Sequence, residues 1–210
     1  MPEPTADNII PMPVTELTDA ALMERIKLGD RAAFEELVAR FRGPIISLVQ
    51  RTLPDATEAE DLAQGVFVQI YKAAHRYEPR AKLSTWIFTI ARNLCLNEIR
   101  RRSRHPADSI EAQEEGGDGK YFHQFEDRKG FTPGESTLQH ELTQKIEGAL
   151  AVLPENQRTA ILLCREGMSY DEIGEILGTS LSSVKSLIFR GRDTLKKRLK
   201  PYLRTGAWTD

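Results

Sequence analysis

From Thr18 to about Arg104 the apolar residues recur at helical spacings almost without interruption. Leu22, Ile26, Phe34, Leu37, Val38 and Phe41 carry the first part of the pattern, and Gly29-Asp30 breaks it with Asp30 placed to cap the next helix. Pro54 closes a segment running through Ile45, Ile46 and Val49. Thr57-Glu58-Ala59-Glu60 has the form of a capping box, and the helix it predicts carries Leu62, Val66 and Ile70 on one face, with Ala63, Phe67 and Ala74 beside it. Pro79 ends that helix, and a further one is expected from about Ser84 to Arg102. Periodicity resumes near Ser136 with Leu138, Leu142, Ile146, Leu150 and Leu153 and continues to about Leu203. Nowhere does a Val/Ile/Thr alternation suggest a strand.

Between the two periodic stretches, residues 105–134 hold Pro106, Gly116, Gly117, Gly119, Gly130, Pro133 and Gly134 and only scattered apolar residues. A loop of that length is unusual inside one compact domain, so it reads as a boundary. The expected plan is all-α: a disordered lead over 1–17, a helical domain over 18–104, a flexible acidic linker over 105–135, a second small helical domain over 136–203 and a tail over 204–210.

Charge changes the picture. The 210 residues carry a formal net charge of −2, which taken alone argues against a basic nucleic-acid binder. The charge is segregated, however: residues 92–104 have a local net of +4, residues 105–127 of −6 and residues 185–204 of +7. Two basic stripes flank an acidic one. The two cysteines, Cys95 and Cys164, have no Cys-x-x-Cys partner and read as small apolar residues of a reducing compartment. Met1-Pro2-Glu3-Pro4 does not start a signal peptide, and no apolar run reaches membrane-spanning length, so a cytoplasmic protein without membrane insertion is expected.

The second basic stripe belongs to a specific arrangement. Ser169-Tyr170-Asp171-Glu172 is a capping box opening a short helix with Ile173, Ile176 and Leu177 inward; Gly178 ends it, and Thr179-Ser180 leads into another helix. Helix, glycine turn, helix is the helix-turn-helix pattern. At 100° per residue, Leu181, Val184, Ile188 and Leu195 share the apolar face of the last helix. Ser182, Lys185, Ser186 and Phe189 share the opposite face, with Arg190 at its edge. Cations for phosphate or guanine, hydroxyls for base edges and an aromatic for a thymine methyl suit DNA reading better than a merely solvated face.

The first stripe is similar in kind. Trp86, Asn93, Asn97, Arg100 and Arg104 fall on one side of their helix, opposite Phe88, Ala91, Cys95 and Ile99. Arginine attracts phosphate, asparagine pairs with base edges, and an indole stacks on an unpaired base with about 1–3 kcal/mol. Trp86 packed under a neighbouring helix is the competing reading. Two nucleic-acid surfaces on one tethered chain imply a protein that reads two separated DNA elements.

Three stretches, in order, resemble the extracytoplasmic-function (ECF) class of sigma-70 RNA polymerase sigma factors. They are Ala59-Glu60-Asp61-Leu62-Ala63-Gln64-Gly65-Val66-Phe67, then Ser84-Thr85-Trp86-Ile87-Phe88-Thr89-Ile90-Ala91-Arg92-Asn93, then Leu153-Pro154-Glu155-Asn156-Gln157-Arg158 followed by Gly167–Ile173 and Val184–Arg190. The resemblance implies that a region 2 domain and a region 4 domain bind core RNA polymerase, on its clamp and flap, and direct it to promoter DNA. It implies that Glu60, Asp61, Gln64 and Phe67 dock on the polymerase clamp. It implies that Arg80, Lys82, Trp86, Arg92, Asn93, Asn97, Arg100, Arg101 and Arg104 serve the −10 element, with the Arg80–Leu83 loop capturing a flipped base. It implies that Ser182, Ser183, Lys185, Ser186, Phe189 and Arg190 read the −35 element. It further implies an anti-sigma partner and no cofactor. Ile87 stands where primary sigma factors carry a second tryptophan, which implies weaker intrinsic melting. Gly65, Gly174 and Leu187 also depart from the usual pattern, Leu187 at a frequent arginine.

Other classes fit less well. His140-Glu141 starts a zinc-protease pattern whose second histidine would be Gln144, and Gly119-Lys120 lacks the hydroxyl and first glycine of a phosphate loop, with Tyr121 and Glu114 in those places. No catalytic residue or metal ligand set is expected. A stand-alone helix-turn-helix regulator, with residues 18–104 as a sensor or dimerisation domain, is the alternative; it leaves the Trp/Asn/Arg stripe without a role.

Overall fold

The computed structural model describes residues 13–53, 56–104 and 133–205, and among these there are eight α-helices and no strand. They are α1 Asp19–Lys27, α2 Arg31–Thr52, α3 Ala56–Ala73, α4 Leu83–Arg104, α5 Pro133–Ala151, α6 Glu155–Arg165, α7 Tyr170–Leu177 and α8 Leu181–Thr205. The acidic stretch 105–132, and the lead up to residue 12, lie outside the described residues.

Local chemistry sets most of the boundaries. Thr18 caps α1 by accepting from the Ala21 N–H at 3.3 Å. Gly29 turns the chain with φ 84°, a region other residues avoid, and Asp30 then caps α2 by accepting from the Ala33 N–H at 3.2 Å. That backbone bond, with the Arg25 guanidinium 2.6 Å away, holds the Asp30 carboxyl below the usual carboxylate range. At Ser169 and Glu172 both halves of the capping box are made. Gly178 closes α7 in the left-handed conformation, φ 63° and ψ 40°.

Three boundaries differ from the sequence expectation. The α3 helix begins at Ala56, which makes Thr57 a first-turn residue rather than the cap. Residues 13–17, expected within the disordered lead, are structured: Val14–Glu16 form a 3-10 turn, and Arg40 donates to the Thr15 and Leu17 carbonyls at 3.1 and 3.0 Å. The second helical stretch starts at Pro133, inside the span read as linker, where proline suits a first helical turn. Pro44 lies within α2 without ending it. Burial of Ile45, Leu48 and Val49 just beyond it, each contributing about 2 kcal/mol, offsets the roughly 3 kcal/mol a helical proline costs.

The α1–α4 helices enclose Leu22, Met23, Leu37, Ile45, Val66, Ile70, Leu83 and Ile87, all essentially without solvent contact. The α5–α8 helices enclose Leu153, Leu163, Ile173, Val184 and Ile188. In the second group α8 crosses α6 so closely that a Cβ on the buried Gly191 would stand 2.5 Å from Ile161 Cδ1. The two groups pack on each other, α4 against α7 and α2 against α6, and their buried residues form one continuous cluster.

Candidate nucleic-acid interfaces

On α3, Glu60, Asp61 and Gln64 are exposed, whereas Phe67 is half-buried against the core. The exposed stripe continues instead through Val68 and Tyr71, 50% and 53% exposed, at the same three- and four-residue steps from Asp61 and Gln64. The sequence reading missed both residues; two apolar positions on a line with Asp61 and Gln64 were the available signal. The Tyr71 ring meets the Phe34 ring of α2 edge-on, with centroids 5.0 Å apart, which fixes its place on this face. Gly65 has open space around its Cβ position, so no close packing there requires glycine.

The α4 helix separates the −10 candidates into two groups. Asn93, Asn97, Arg100, Arg101 and Arg104 are exposed, as is Arg80 in the preceding turn, where it pairs with Glu78 at 2.6 Å. Arg101 is engaged locally by Glu98 at 2.8 Å. Arg102, its neighbour, pairs with Glu98 at 3.2 Å and also with Glu58 of α3, so the arginine run is partly neutralised from within. Trp86 stands between its two readings: it is half-buried, packed against the core, and meets the Tyr77 ring edge-on with centroids 5.1 Å apart. Phe88, Ala91 and Cys95 face inward as expected, and burial pushes the Cys95 thiol up to about 12.

Lys82 and Arg92 form the second group, because both reach the α5–α8 unit. Lys82 Nζ lies 3.0 Å from Glu172 Oε1. Arg92 donates to Asn156 Oδ1 at 3.1 Å and to the Ile176 carbonyl at 3.4 Å, with Glu155 at 3.8 Å. Burial works to raise the Glu172 carboxyl, but the Ser169 backbone and hydroxyl and Lys82 outweigh it and hold the group below its ordinary range.

On α8, Val184 and Ile188 are buried and Leu195 packs against the core, but Leu181, expected on that face, is 41% exposed in the first turn. Lys185, Phe189 and Arg190 are exposed, Phe189 at 74%. Arg190 donates to the Ser186 hydroxyl at 2.9 Å, which orients the guanidinium along the helix. The Ser182 and Ser183 hydroxyls each lie 3.0 Å from Ser180 Oγ, itself the acceptor for the Ser183 N–H. The half-buried Ser183 therefore serves the helix start, while Ser182 stays on the outer face. Leu187 packs against the core cluster, away from the exposed face of Lys185, Phe189 and Arg190. Among the described residues no group of three potential metal ligands occurs.

Residues 28–105 match the Sigma-70 region 2 family and residues 143–195 the Sigma-70, region 4 family. The RNA polymerase sigma-H factor of Pseudomonas aeruginosa is 34% identical over 91% of this chain and 98% of its own length. The ECF RNA polymerase sigma factor SigW of Bacillus subtilis is 33% identical over 85% and 95%, and the ECF sigma-E factor of Escherichia coli K12 is 33% identical over 90% and 98%. Among solved structures, CnrH in complex with the cytosolic domain of CnrY has a TM-score of 0.62 at 23% identity, over 86% of this chain and 96% of that one. RpoE of Bartonella quintana, in complex with the anti-sigma factor NepR, has a TM-score of 0.61 at 23% identity, over 80% and 96%; both share the fold. With its paired region 2 and region 4 segments in this order, the chain belongs to the ECF group of the sigma-70 family of RNA polymerase sigma factors.

Proposed function

We propose that this sigma factor docks on the clamp of core RNA polymerase through Asp61, Gln64, Val68 and Tyr71 of α3 and on the flap through its region 4 unit. It then reads a −10 element with α4 and a −35 element with α8. The observation that carries this reading is the pair of open faces on different units: Asn93, Asn97 and Arg100 on α4, and Lys185, Phe189 and Arg190 on α8. An exposed phenylalanine flanked by cations is costly as plain surface and useful against a base or a thymine methyl. Phosphodiester formation belongs to the polymerase, so the chain acts as an initiation factor and not as an enzyme. Action in the cytoplasm follows from where the polymerase works; no helix among the described residues is long and apolar enough to cross a membrane. An anti-sigma protein is the expected inhibitor, as the resemblance implies.

Run-off transcription with bacterial core enzyme on a library of upstream sequences tests the proposal. The expected result is a start-site-specific transcript that depends on two separated elements. Protection of duplex DNA by the chain alone, with no transcript on any template, would instead favour a stand-alone helix-turn-helix regulator.

A further inference from the structure

The last three turns of α4 carry one acid among their arginines. Residues 92–104 hold five arginines, and Glu98 lowers their local net charge to +4. At about 100° per residue Asn93, Asn97, Arg100 and Arg104 form an exposed row within about 60° of one another. Arg101 lies about 40° outside that row and Glu98 about 60° further round. The acid thus stands at the flank of the DNA-facing row, on the side away from it.

The Glu98 carboxylate grips Arg101 as a fork: Oε2 accepts from Nε at 2.9 Å and Oε1 from Nη2 at 2.8 Å. Oε1 also accepts from Arg102 Nε at 3.2 Å, and Arg102 reaches back to Glu58 in the first turn of α3. A lone surface ion pair gains little, because two long side chains must be held in one geometry. Glu98 differs because Arg102 backs it: both of those side chains are 17% exposed, whereas that of Arg101 is 54% exposed. The carboxylate is an anchor set by the packing of α4 on α3. A guanidinium is planar, so holding its Nε–Nη2 edge also fixes the direction of its Nη1 edge.

We propose that Glu98 is a positioning residue for DNA reading by α4. It locks Arg101 beside the row of Asn93, Asn97 and Arg100 and offsets part of its charge. Phosphate contacts carry no sequence information, so an arginine that swings to the nearest phosphate strengthens binding to any DNA alike. An arginine held in one direction meets its phosphate only when the bases alongside are seated in register. The inference rests on the assignment of α4 to the −10 element.

The test uses the full-length chain bound to core RNA polymerase, with the variants Glu98→Gln, Glu98→Ala and Glu98→Ala/Arg101→Ala. Circular dichroism melting verifies folding, and the near-isosteric Glu98→Gln serves if alanine loosens the contact with α3. Fluorescence anisotropy measures binding to two fluorescein-labelled promoter fragments: the most active template of the run-off library, and the same fragment with its −10 segment scrambled. Removing the carboxylate is expected to tighten binding to the scrambled fragment roughly eightfold in about 0.1 M salt, the counterion-release factor of one further phosphate contact. The salt slope on that fragment should steepen by about 0.9. Binding to the active fragment should tighten less, because the lost orientation offsets the gained charge, so the ratio of the two affinities falls by roughly threefold or more. Adding Arg101→Ala should return the scrambled fragment to its native affinity. Equal tightening on both fragments would overturn the proposal by reducing Glu98 to bulk charge. Unchanged affinities, or a gain that survives Arg101→Ala, would overturn it as well. The native holoenzyme separates this from the functional reading: if it does not distinguish the two fragments, the assignment of α4 fails; if it does and the ratio is the same without Glu98, only the positioning role fails.

Discussion

The Arg92 guanidinium donates to Asn156 Oδ1 across 3.1 Å, joining positions 64 residues apart on opposite sides of the acidic stretch. One side chain on α4 therefore joins the region 2 unit to the first turn of α6 in the region 4 unit. The sequence pattern marks this residue only as another cation.

Asn93 and Lys185 lie on different units and both point to solvent. Asn93→Ala is expected to flatten the dependence of transcription on the −10 sequence, and Lys185→Ala its dependence on the −35 sequence, each by about 1–3 kcal/mol at the contacted position. Run-off transcription on templates varied one element at a time measures both. Loss at the same element in the two variants would contradict the two-site arrangement.

Arg158 gathers four backbone carbonyls, those of Arg51, Thr52, Ala151 and Leu153, at 2.9–3.4 Å. Burial depresses its guanidinium below the usual arginine range, yet the group stays charged. Arg158→Ala is expected to destabilise the chain by about 2–3 kcal/mol, since it strips charge-assisted bonds from acceptors at two helix ends. Arg158→Lys should recover this only in part, because an ammonium cannot span the fork. Urea denaturation of the three chains measures the difference; full recovery by lysine would show that charge alone matters.

Gly65 sits mid-helix in α3 with nothing within 4 Å of its Cβ position. Gly65→Ala is expected to stabilise region 2 by about 1 kcal/mol through helix propensity. A raised melting temperature checks it. No change would mean that α3 is already fixed by its packing and gains nothing from a stiffer unfolded chain.

Glu172 has a depressed carboxyl, so its contribution to stability is fully present above the ordinary glutamate value of about 4.3 and is lost as pH falls through the lower folded value. Asp30 behaves in the same sense at the start of α2. Acid titration of the folded state should therefore be steeper for the native chain than for Glu172→Gln, which has no proton to gain at that position. Identical acid limbs in the two chains would show that the capping box and the Lys82 pair contribute little.

Much of this protein is legible locally. The caps at Asp30 and Ser169, the left-handed Gly178 and the inward faces of α4 and α8 follow from interactions within four residues, which periodicity and side-chain chemistry reveal directly. The exposed outer face that Lys185, Phe189 and Arg190 share on α8 was visible for the same reason. Thr57 and Leu181 were misjudged at helix starts, where a shift of a residue or two changes a cap into a first-turn position or leaves an apolar side chain beyond the core.

Composition, periodicity and turn chemistry alone determined that the chain is helical, divided in two and basic on one face of each part. They act over a few residues, and so does the information in them. Only the tertiary structure decided that α4 lies against α7, that Pro44 is carried inside α2, that Val68 and Tyr71 are exposed, and that Arg92 and Lys82 meet Asn156 and Glu172. Those outcomes depend on which helices share the buried cluster and how their faces meet over separations of 64 to 107 residues. A side chain's partner there is set by packing of the whole core, a sum of contacts that no local spacing records.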